Sequence, residues 1–514
     1  NLIVRGVGQL TPPQYVTAVD AARRDAADAE QTFARRSATF RVESAGARVG
    51  LDEVARALPD DGALVSFVRY GRSPQGGVSA GVTSGPGRLR GTVTSYLAFV
   101  LRPGRAPVAV ALGSSAAIEP LVSGWRSALL TEARLARPGS GASSSRQSGA
   151  ALRRRVWDPL ALHLEGARRV FIVPDGMLGL VPFAALPVGT RSFVIDGGQV
   201  LHYLSAERDL VSLAAAPAPI GRGMLALGGA SFDGAAPVPS RPSRASSAAR
   251  RPVAAAPAVA PAATRAAAAA GPGACGDLRT MRFQPLAGSL DEVREIGRAW
   301  SERAGDVKLL VGPDANERSF KQSASQYRVL HLATHGFFIE DAGCVPPARG
   351  TRGVGGLAGG GRPSRTRGAV HPLRLSGLAL AGANRRFSAG REEDDGILTA
   401  EEVAALDLGG VEWAVLSACD TGVGEVRAGE GVFGLRRAFQ TAGARTIVMS
   451  LWAIDDRATR AWMRTLYEKR FAEGLSTADA VHEAATSVLR QRRAQGASSH
   501  PFYWAAFVAA GDWR

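Results

Sequence analysis

The chain has 514 residues, of which 46% are hydrophobic, and this predicts a globular protein of roughly two to four domains. Its formal net charge of +16 suggests nucleic-acid binding, but arginines unbalanced by acids concentrate in segments 232–275 and 345–370, so we expect no specific nucleic-acid partner. Three scattered cysteines argue against a disulfide framework or a zinc site and favour a reducing, cytoplasmic compartment.

Residues 1–48 are polar and rich in alanine, with apolar residues at near-helical spacing between positions 12 and 41. This pattern predicts the helical remnant of an upstream, repeat-like region. The chain begins without methionine, so we expect it to be part of a longer protein. It has neither a basic-then-apolar leader nor an apolar run long enough to cross a bilayer, which predicts no membrane span.

Residues 49–231 alternate between strand-like and helix-like patterns, which is typical of an α/β unit. The patterns predict strands at 63–70, 96–101, 108–112, 169–173, 199–204 and 224–228, and helices at 116–136 and 149–164.

Residues 232–276 consist mainly of Ala, Pro, Ser and Arg, a composition that predicts a disordered linker. The alternation resumes in residues 277–514, where a Gly/Arg-rich loop at 344–370 interrupts it. Strands are predicted at 307–311, 329–334, 412–417, 445–451 and 502–509, and helices at 317–325, 432–441, 457–473 and 477–493. The predicted fold class is α/β, with two tandem units of mainly parallel sheet flanked by helices.

Two capping boxes predict further helix starts in the second unit. One runs from Ser289 to Glu292 and the other from Thr399 to Glu402. In each, the hydroxyl and the carboxylate three residues later can satisfy free amides at a helix start.

Two motifs place reactive side chains at the ends of buried strands. The first, Val-Leu-His-Leu-Ala-Thr-His335-Gly336, ends in an imidazole, and the second, Trp-Ala-Val-Leu-Ser-Ala-Cys419, ends in a thiol. The carboxyl ends of neighbouring parallel strands meet at one edge of a sheet, where an imidazole can favour the nucleophilic thiolate. We predict His335 as the base and Cys419 as the nucleophile, with the backbone amides of Gly336 and Cys419 as an oxyanion hole.

Structural roles are the alternative, since a cysteine or histidine on an apolar strand is often a packed residue. His331 shares a strand face with His335 at a period of two, so it is either an alternative base or a packed neighbour. Residues 429–434 match a dinucleotide-binding fingerprint, but no strand directly precedes them and Glu430 would repel a pyrophosphate. We therefore predict no cofactor.

Several long motifs resemble the CHAT family of caspase-like and separase-like cysteine peptidases, which are associated with tetratricopeptide repeats. The resemblance extends from about residue 51 to residue 514. Its motifs are Pro174-Asp175-Gly176 with Leu-Val-Pro-Phe-Ala-Ala-Leu, His202-Tyr-Leu-Ser, Leu-Ala-Thr-His335-Gly336, Leu-Ser-Ala-Cys419-Asp-Thr-Gly, Gly-Glu-Gly-Val-Phe-Gly-Leu-Arg-Arg-Ala-Phe and Ser450-Leu-Trp-Ala-Ile-Asp-Asp456. It implies two tandem caspase-like units: a catalytically silent half at 49–231 and a catalytic half at 277–514 with a His335–Cys419 dyad and no metal.

The resemblance also implies a pocket for the substrate. Separase-like relatives carry an acid in the Leu-Trp segment, where it receives a basic side chain, and Asp455 or Asp456 would take that part here. Ala453, however, stands where those relatives have an acid directly after the tryptophan. Acids at the start of the next helix would equally complement its dipole. Asp420, beside the nucleophile, is a weaker candidate.

Three functional classes fit these observations. The favoured class is a cysteine endopeptidase that cleaves a specific protein substrate under the control of an upstream or separate repeat or sensor domain. The resemblance implies a regulated bacterial signalling, defence or cell-death pathway. The second class is a catalytically silent CHAT interaction or scaffold module. The third is a basic nucleic-acid-associated protein, whose binding would depend strongly on salt.

Overall fold

The fold is taken from a computed structural model of the chain. Besides three isolated positions, it describes residues 49–72, 93–135, 143–215, 219–234, 281–302, 305–338, 376–389, 394–420, 428–452 and 456–514. The predicted helices before residue 42, most of the predicted linker and the Gly/Arg-rich loop lie outside the described residues.

Strands and helices alternate along the described chain. The strands are β1 (Gly62–Arg72), β2 (Val93–Leu101), β3 (Val108–Ser114), β4 (Arg169–Val173), β5 (Pro187–Val188), β6 (Ser192–Phe193), β7 (Val200–Tyr203), β8 (Met224–Ala230), β9 (Val307–Gly312), β10 (Val329–Ala333), β11 (His335–Phe338), β12 (Ser376–Ala379), β13 (Ile397–Thr399), β14 (Trp413–Leu416), β15 (Cys419–Asp420), β16 (Thr446–Ser450) and β17 (Phe507–Gly511). The α-helices are α1 (Leu51–Ala57), α2 (Ser115–Leu135), α3 (Ser143–Val156), α4 (Ala161–Leu164), α5 (Asp209–Ala215), α6 (Ala287–Ser301), α7 (Glu317–Ser323), α8 (Ala400–Ala404), α9 (Ala428–Thr441), α10 (Asp456–Tyr467) and α11 (Thr477–Ala494).

One mainly parallel sheet runs through the described part of the molecule. Its strand order is β3-β2-β1-β4-β7-β17-β16-β14-β10-β8-β9. The central strands β10, β14 and β16 are buried along their whole length, which explains their nearly continuous apolar sequences. The predicted α/β fold with a mainly parallel sheet flanked by helices is confirmed.

The two halves are joined edge to edge in this sheet, because β7 of the first half pairs with β17 of the second through Tyr203 and Ala510. Helix α11 contacts both strands and covers the junction. Strand β8, which the sequence-based division places in the first half, lies between β10 and β9 of the second half. The domain boundaries stay predictions.

A second, four-stranded sheet stands beside the carboxyl ends of β10 and β14, with the order β13-β12-β11-β15. The sequence patterns did not predict these short strands. The capping box at Thr399 is confirmed: its side chain accepts from the Glu402 amide at the start of α8.

The capping box predicted at Ser289 is wrong, because α6 begins two residues earlier, at Ala287. The Ser289 hydroxyl donates to the Leu286 carbonyl and accepts from the Gly229 amide. It therefore ties α6 to the end of β8. Among the described residues, no helix combines the length and the apolar character that a membrane span requires.

Candidate active site

The predicted strands of the two reactive residues are neighbours in the large sheet. Strands β10 and β14 pair in parallel, with Leu332 opposite Leu416. Three residues further along each chain, β11 and β15 pair in parallel in the small sheet, with His335 opposite Cys419. Paired strands lie about 4.8 Å apart. The same register therefore continues through both sheets and brings the backbones of the two residues side by side.

Hydrogen bonds from hydroxyl groups fix the backbone just before His335 and just before Cys419. The hydroxyl of Thr334 donates to the carbonyl of Ala379, the residue that pairs with His335 in β12. The Ser450 hydroxyl at the end of β16 donates to the Ala418 carbonyl, 2.6 Å away. These bonds hold the short strands against their neighbours where each chain passes from the large sheet to the small one.

The imidazole of His335 is half-buried against two aromatic rings that also pack against each other. The ring centroids of Phe232 and Phe283 lie 5.3 and 5.7 Å from the His335 ring. Both phenylalanines are nearly fully buried. Phe232 is the first residue of the predicted linker. Because it packs against His335, this end of the predicted linker belongs to the candidate site.

A backbone carbonyl fixes the protonation of the His335 ring. The Nε2 atom lies 2.8 Å from the carbonyl oxygen of Gln284. A carbonyl oxygen can only accept, so Nε2 carries the hydrogen of this bond. In the neutral imidazole, Nδ1 is then the nitrogen without a hydrogen, and it is the atom that can accept a proton.

The other predicted site residues differ in how far the structure places them. Gly336 lies in β11, where it pairs with Leu378 on one side and Asp420 on the other. Asp456 is the first residue of α10, as the helix-dipole alternative requires, while Asp455 lies outside the described residues. The oxyanion hole and the acidic pocket therefore stay predictions.

His331 is a packed residue rather than an alternative base. Its side chain is fully buried, with Nδ1 3.0 Å from the Tyr467 hydroxyl and Nε2 3.1 Å from the Glu292 carboxylate. The predicted shared face with His335 is wrong, because β10 ends at Ala333 and His335 belongs to the second sheet. A cleft of about 720 Å³ between α6 and α10 is lined by Glu292 and Tyr467 but by none of the predicted site residues.

The first half also reaches the site region. Arg126 on α2 donates to the carbonyl of Leu180 in the first half and to that of Leu451, 2.9 Å away, at the start of the predicted pocket segment. Sequence patterns could not indicate this contact, which joins residues 325 positions apart.

Within the part of the chain that the structure describes, no group of three or more His, Cys, Asp or Glu residues could hold a metal ion. The fingerprint-like residues 429–434 lie inside α9, which starts at Ala428.

A family model described as the CHAT domain matches residues 146–512 of the chain. Tetratricopeptide repeat protein 28 of Homo sapiens is 28% identical over 227 residues, and its Mus musculus counterpart is 27% identical over the same length. Each match covers 44% of this chain and only 9% of the relative. The chain therefore matches a small part of these proteins.

Two solved structures of the Saccharomyces cerevisiae separase–securin complex show a distant likeness. The first has a TM-score of 0.40 and 9% sequence identity, covering 90% of this chain and 30% of the other. The second has a TM-score of 0.33 and 11% identity, covering 77% and 22%.

Proposed function

Because the chain belongs to the CHAT domain family, we propose that it is a cysteine endopeptidase in which His335 and Cys419 form the catalytic dyad. The observation that carries this proposal is the register of the small sheet, which pairs the two residues in parallel strands. Residues paired in this way share a face of the sheet, at a distance that an imidazole and a thiol can bridge. The bond from Nε2 to the Gln284 carbonyl supports Nδ1 as the base.

The reaction would proceed in two steps. The Cys419 thiol gives its proton to Nδ1 of His335, and the thiolate attacks the scissile carbonyl carbon. The amide bond breaks as the imidazolium protonates the leaving amine, and a thioester remains. His335 then takes a proton from water, the hydroxide attacks the thioester, and the new carboxyl end leaves as the thiol is restored.

Stabilisation of the tetrahedral intermediate is assigned to backbone amides. Each correctly placed donor contributes about 3 kcal/mol to such a transition state. The amides of Gly336 and Cys419 are our candidates, and Asp455, Asp456 and Asp420 are the candidates for contacts with the substrate. We likewise propose a protein substrate, an upstream or separate repeat or sensor domain, and a bacterial signalling, defence or cell-death pathway. The matched relatives do not test these proposals, since they are mammalian and the match covers only 9% of each.

The dyad can be tested without knowing the substrate. We expect iodoacetamide to alkylate Cys419 at pH 6.5 about tenfold or more faster in the wild type than in His335→Ala, because an ordinary thiol is mostly protonated there. Quantitative mass spectrometry of the Cys419 peptide gives the rate, with Cys275 and Cys344 as internal references.

The control is His163→Ala, which removes a histidine from the first half and should leave the rate unchanged. If Cys419 reacts no faster than Cys275 and Cys344 in the wild type, the proposed dyad is wrong. The catalytically silent interaction module would then be the better account of this domain.

A further inference from the structure

One short segment contacts the His335 ring through a backbone carbonyl and an aromatic side chain. It comprises residues 281–286, which precede α6 without regular secondary structure and which we call the strap. The strap supplies the Gln284 carbonyl that accepts from His335 and the Phe283 ring that packs on it. Residues 232–234 reach the same ring through Phe232, whose ring centroid also lies 6.0 Å from that of Phe283. The strap and residues 232–234 flank the segment 235–280 in the sequence.

Both flanks are held by a single side chain, that of Asn384. Its Oδ1 accepts from the Phe283 amide at 2.8 Å, and its Nδ2 donates to the Phe283 carbonyl at 2.9 Å. The same Nδ2 donates to Asp233 at 3.0 Å, and the backbone amide of Asn384 donates to the Phe232 carbonyl at 2.9 Å. One asparagine therefore binds both segments whose aromatic rings pack against His335.

Asn384 is itself on a supported element, the 3-10 helix Ala383–Ser388. Within this helix the buried guanidinium of Arg386 donates to the Ala383 carbonyl at 2.6 Å and to the Met281 carbonyl, at the start of the strap, at 2.5 Å. Its charge also lies 5.9 Å from the centre of the Phe283 ring. The strap is thus fixed at Met281 and at Phe283, directly before the carbonyl that accepts from His335.

We infer that Asn384 is a positioning residue for His335, an inference that rests on the proposed peptidase function. Asn384 does not touch the reacting atoms. It holds Phe283, and through Phe283 the next carbonyl, so that Nε2 of His335 keeps its hydrogen and Nδ1 stays the basic nitrogen.

The amide group suits this role because it both donates and accepts. Alanine at position 384 offers neither group, so the side-chain bond to Asp233 and both side-chain bonds to Phe283 are lost. Aspartate keeps the size of the side chain and the acceptor for the Phe283 amide, but it has no N–H for the Phe283 carbonyl and would repel Asp233. Either change should let the Gln284 carbonyl move away from Nε2.

The first readout is the tautomer of His335, measured by NMR on protein labelled with ¹⁵N-histidine and assigned with His335→Ala. In the wild type we expect the hydrogen on Nε2 near neutral pH. In Asn384→Ala and Asn384→Asp we expect a measurable share of the other tautomer. The second readout is the alkylation rate of Cys419 at pH 6.5, which should fall about tenfold, since small losses of orientation are costly.

The matched control is Asn316→Ala. Asn316 is a buried asparagine of the same half that also bonds to backbone, donating to the Pro313 carbonyl at 2.9 Å and accepting from the Ser319 amide at 2.9 Å, but it touches neither the strap nor His335. Near-ultraviolet circular dichroism checks that each variant is folded. If Asn384→Ala does not fold, the smaller change Asn384→Asp decides the question.

The two readouts separate the inference from the function on which it rests. A wild-type tautomer and a wild-type alkylation rate in the folded variants would overturn the role of Asn384. If Cys419 is no more reactive in the wild type than in His335→Ala, the dyad fails, while the tautomer measurement still decides whether Asn384 holds the ring.

Discussion

At the scale of single residues, the histidines show how similar sequence contexts receive different roles. His331 and His335 belong to one apolar motif, yet the first is enclosed between Tyr467 and Glu292 and the second lies half-buried beside Cys419. The motif predicted that His335 ends the apolar run, but it did not predict that His331 is fully buried. The groups that decide this, Glu292 and Tyr467, are 39 and 136 positions from His331.

His202 gives a pH-dependent prediction. Its ring is 2% exposed and donates from Nε2 to the Gly511 carbonyl at 2.9 Å, and burial lowers its pKa to about 4. The unfolded chain has a histidine pKa of about 6.5, so the folded state resists protonation between these values. The neutral ring contributes at most about 3 kcal/mol to the free energy of unfolding. This contribution is fully present above pH 6.5 and is lost as the pH falls towards 4.

We therefore expect His202→Gln, which cannot titrate, to destabilise the protein at pH 7 by more than it does at pH 4.5. Denaturant unfolding at both pH values measures the difference in the free energy of unfolding. His163→Gln, in the helix α4, is the control. A difference between wild type and His202→Gln that stays constant with pH would contradict the assigned burial effect.

At the scale of elements, the long periodic segments could be predicted from the sequence and the short ones could not. Strand β4 falls on the predicted residues, and β10 and β14 were expected as neighbours. The strands β11, β12, β13 and β15 have two to four residues each, too few for a period of two to be recognised. Pairing between strands distant in sequence creates the small sheet that carries the proposed dyad.

The capping box of α8 is an element whose contribution can be measured. Thr399 accepts from the Glu402 amide, and the Glu402 carboxylate accepts from the Thr399 amide at 2.9 Å. We expect Thr399→Ala to lower the free energy of unfolding by about 1 kcal/mol, because the Glu402 amide loses its acceptor and the Glu402 carboxylate loses the Thr399 hydroxyl.

The control for this prediction is Thr486→Ala in α11. Its hydroxyl donates to the His482 carbonyl inside the helix, and this bond does not cap a helix end. Denaturant unfolding should give a clearly smaller change for Thr486→Ala than for Thr399→Ala. Equal changes would mean that the cap adds nothing to the stability of α8.

At the scale of the whole molecule, the two halves form one sheet whose seam carries no proposed catalytic residue. Strand patterns predicted two α/β units but not their joining, because a single pair of edge strands, β7 and β17, decides it. The first half contacts the region of the proposed site, for example where Arg126 donates to the Leu451 carbonyl. The dyad could be predicted because each of its residues stands at the end of an apolar strand pattern. The contacts of the strap and of Asn384 join residues far apart in the sequence, and no local pattern indicates them.

The central claim is that this molecule cleaves proteins with Cys419. Its most direct test is proteome-wide mapping of new N-termini in lysates that contain the wild type, Cys419→Ala or Cys344→Ala. We expect a small set of new N-termini with the wild type and with Cys344→Ala, and none of them with a folded Cys419→Ala variant. The same new N-termini with Cys419→Ala, or no difference between it and the wild type, would contradict the claim.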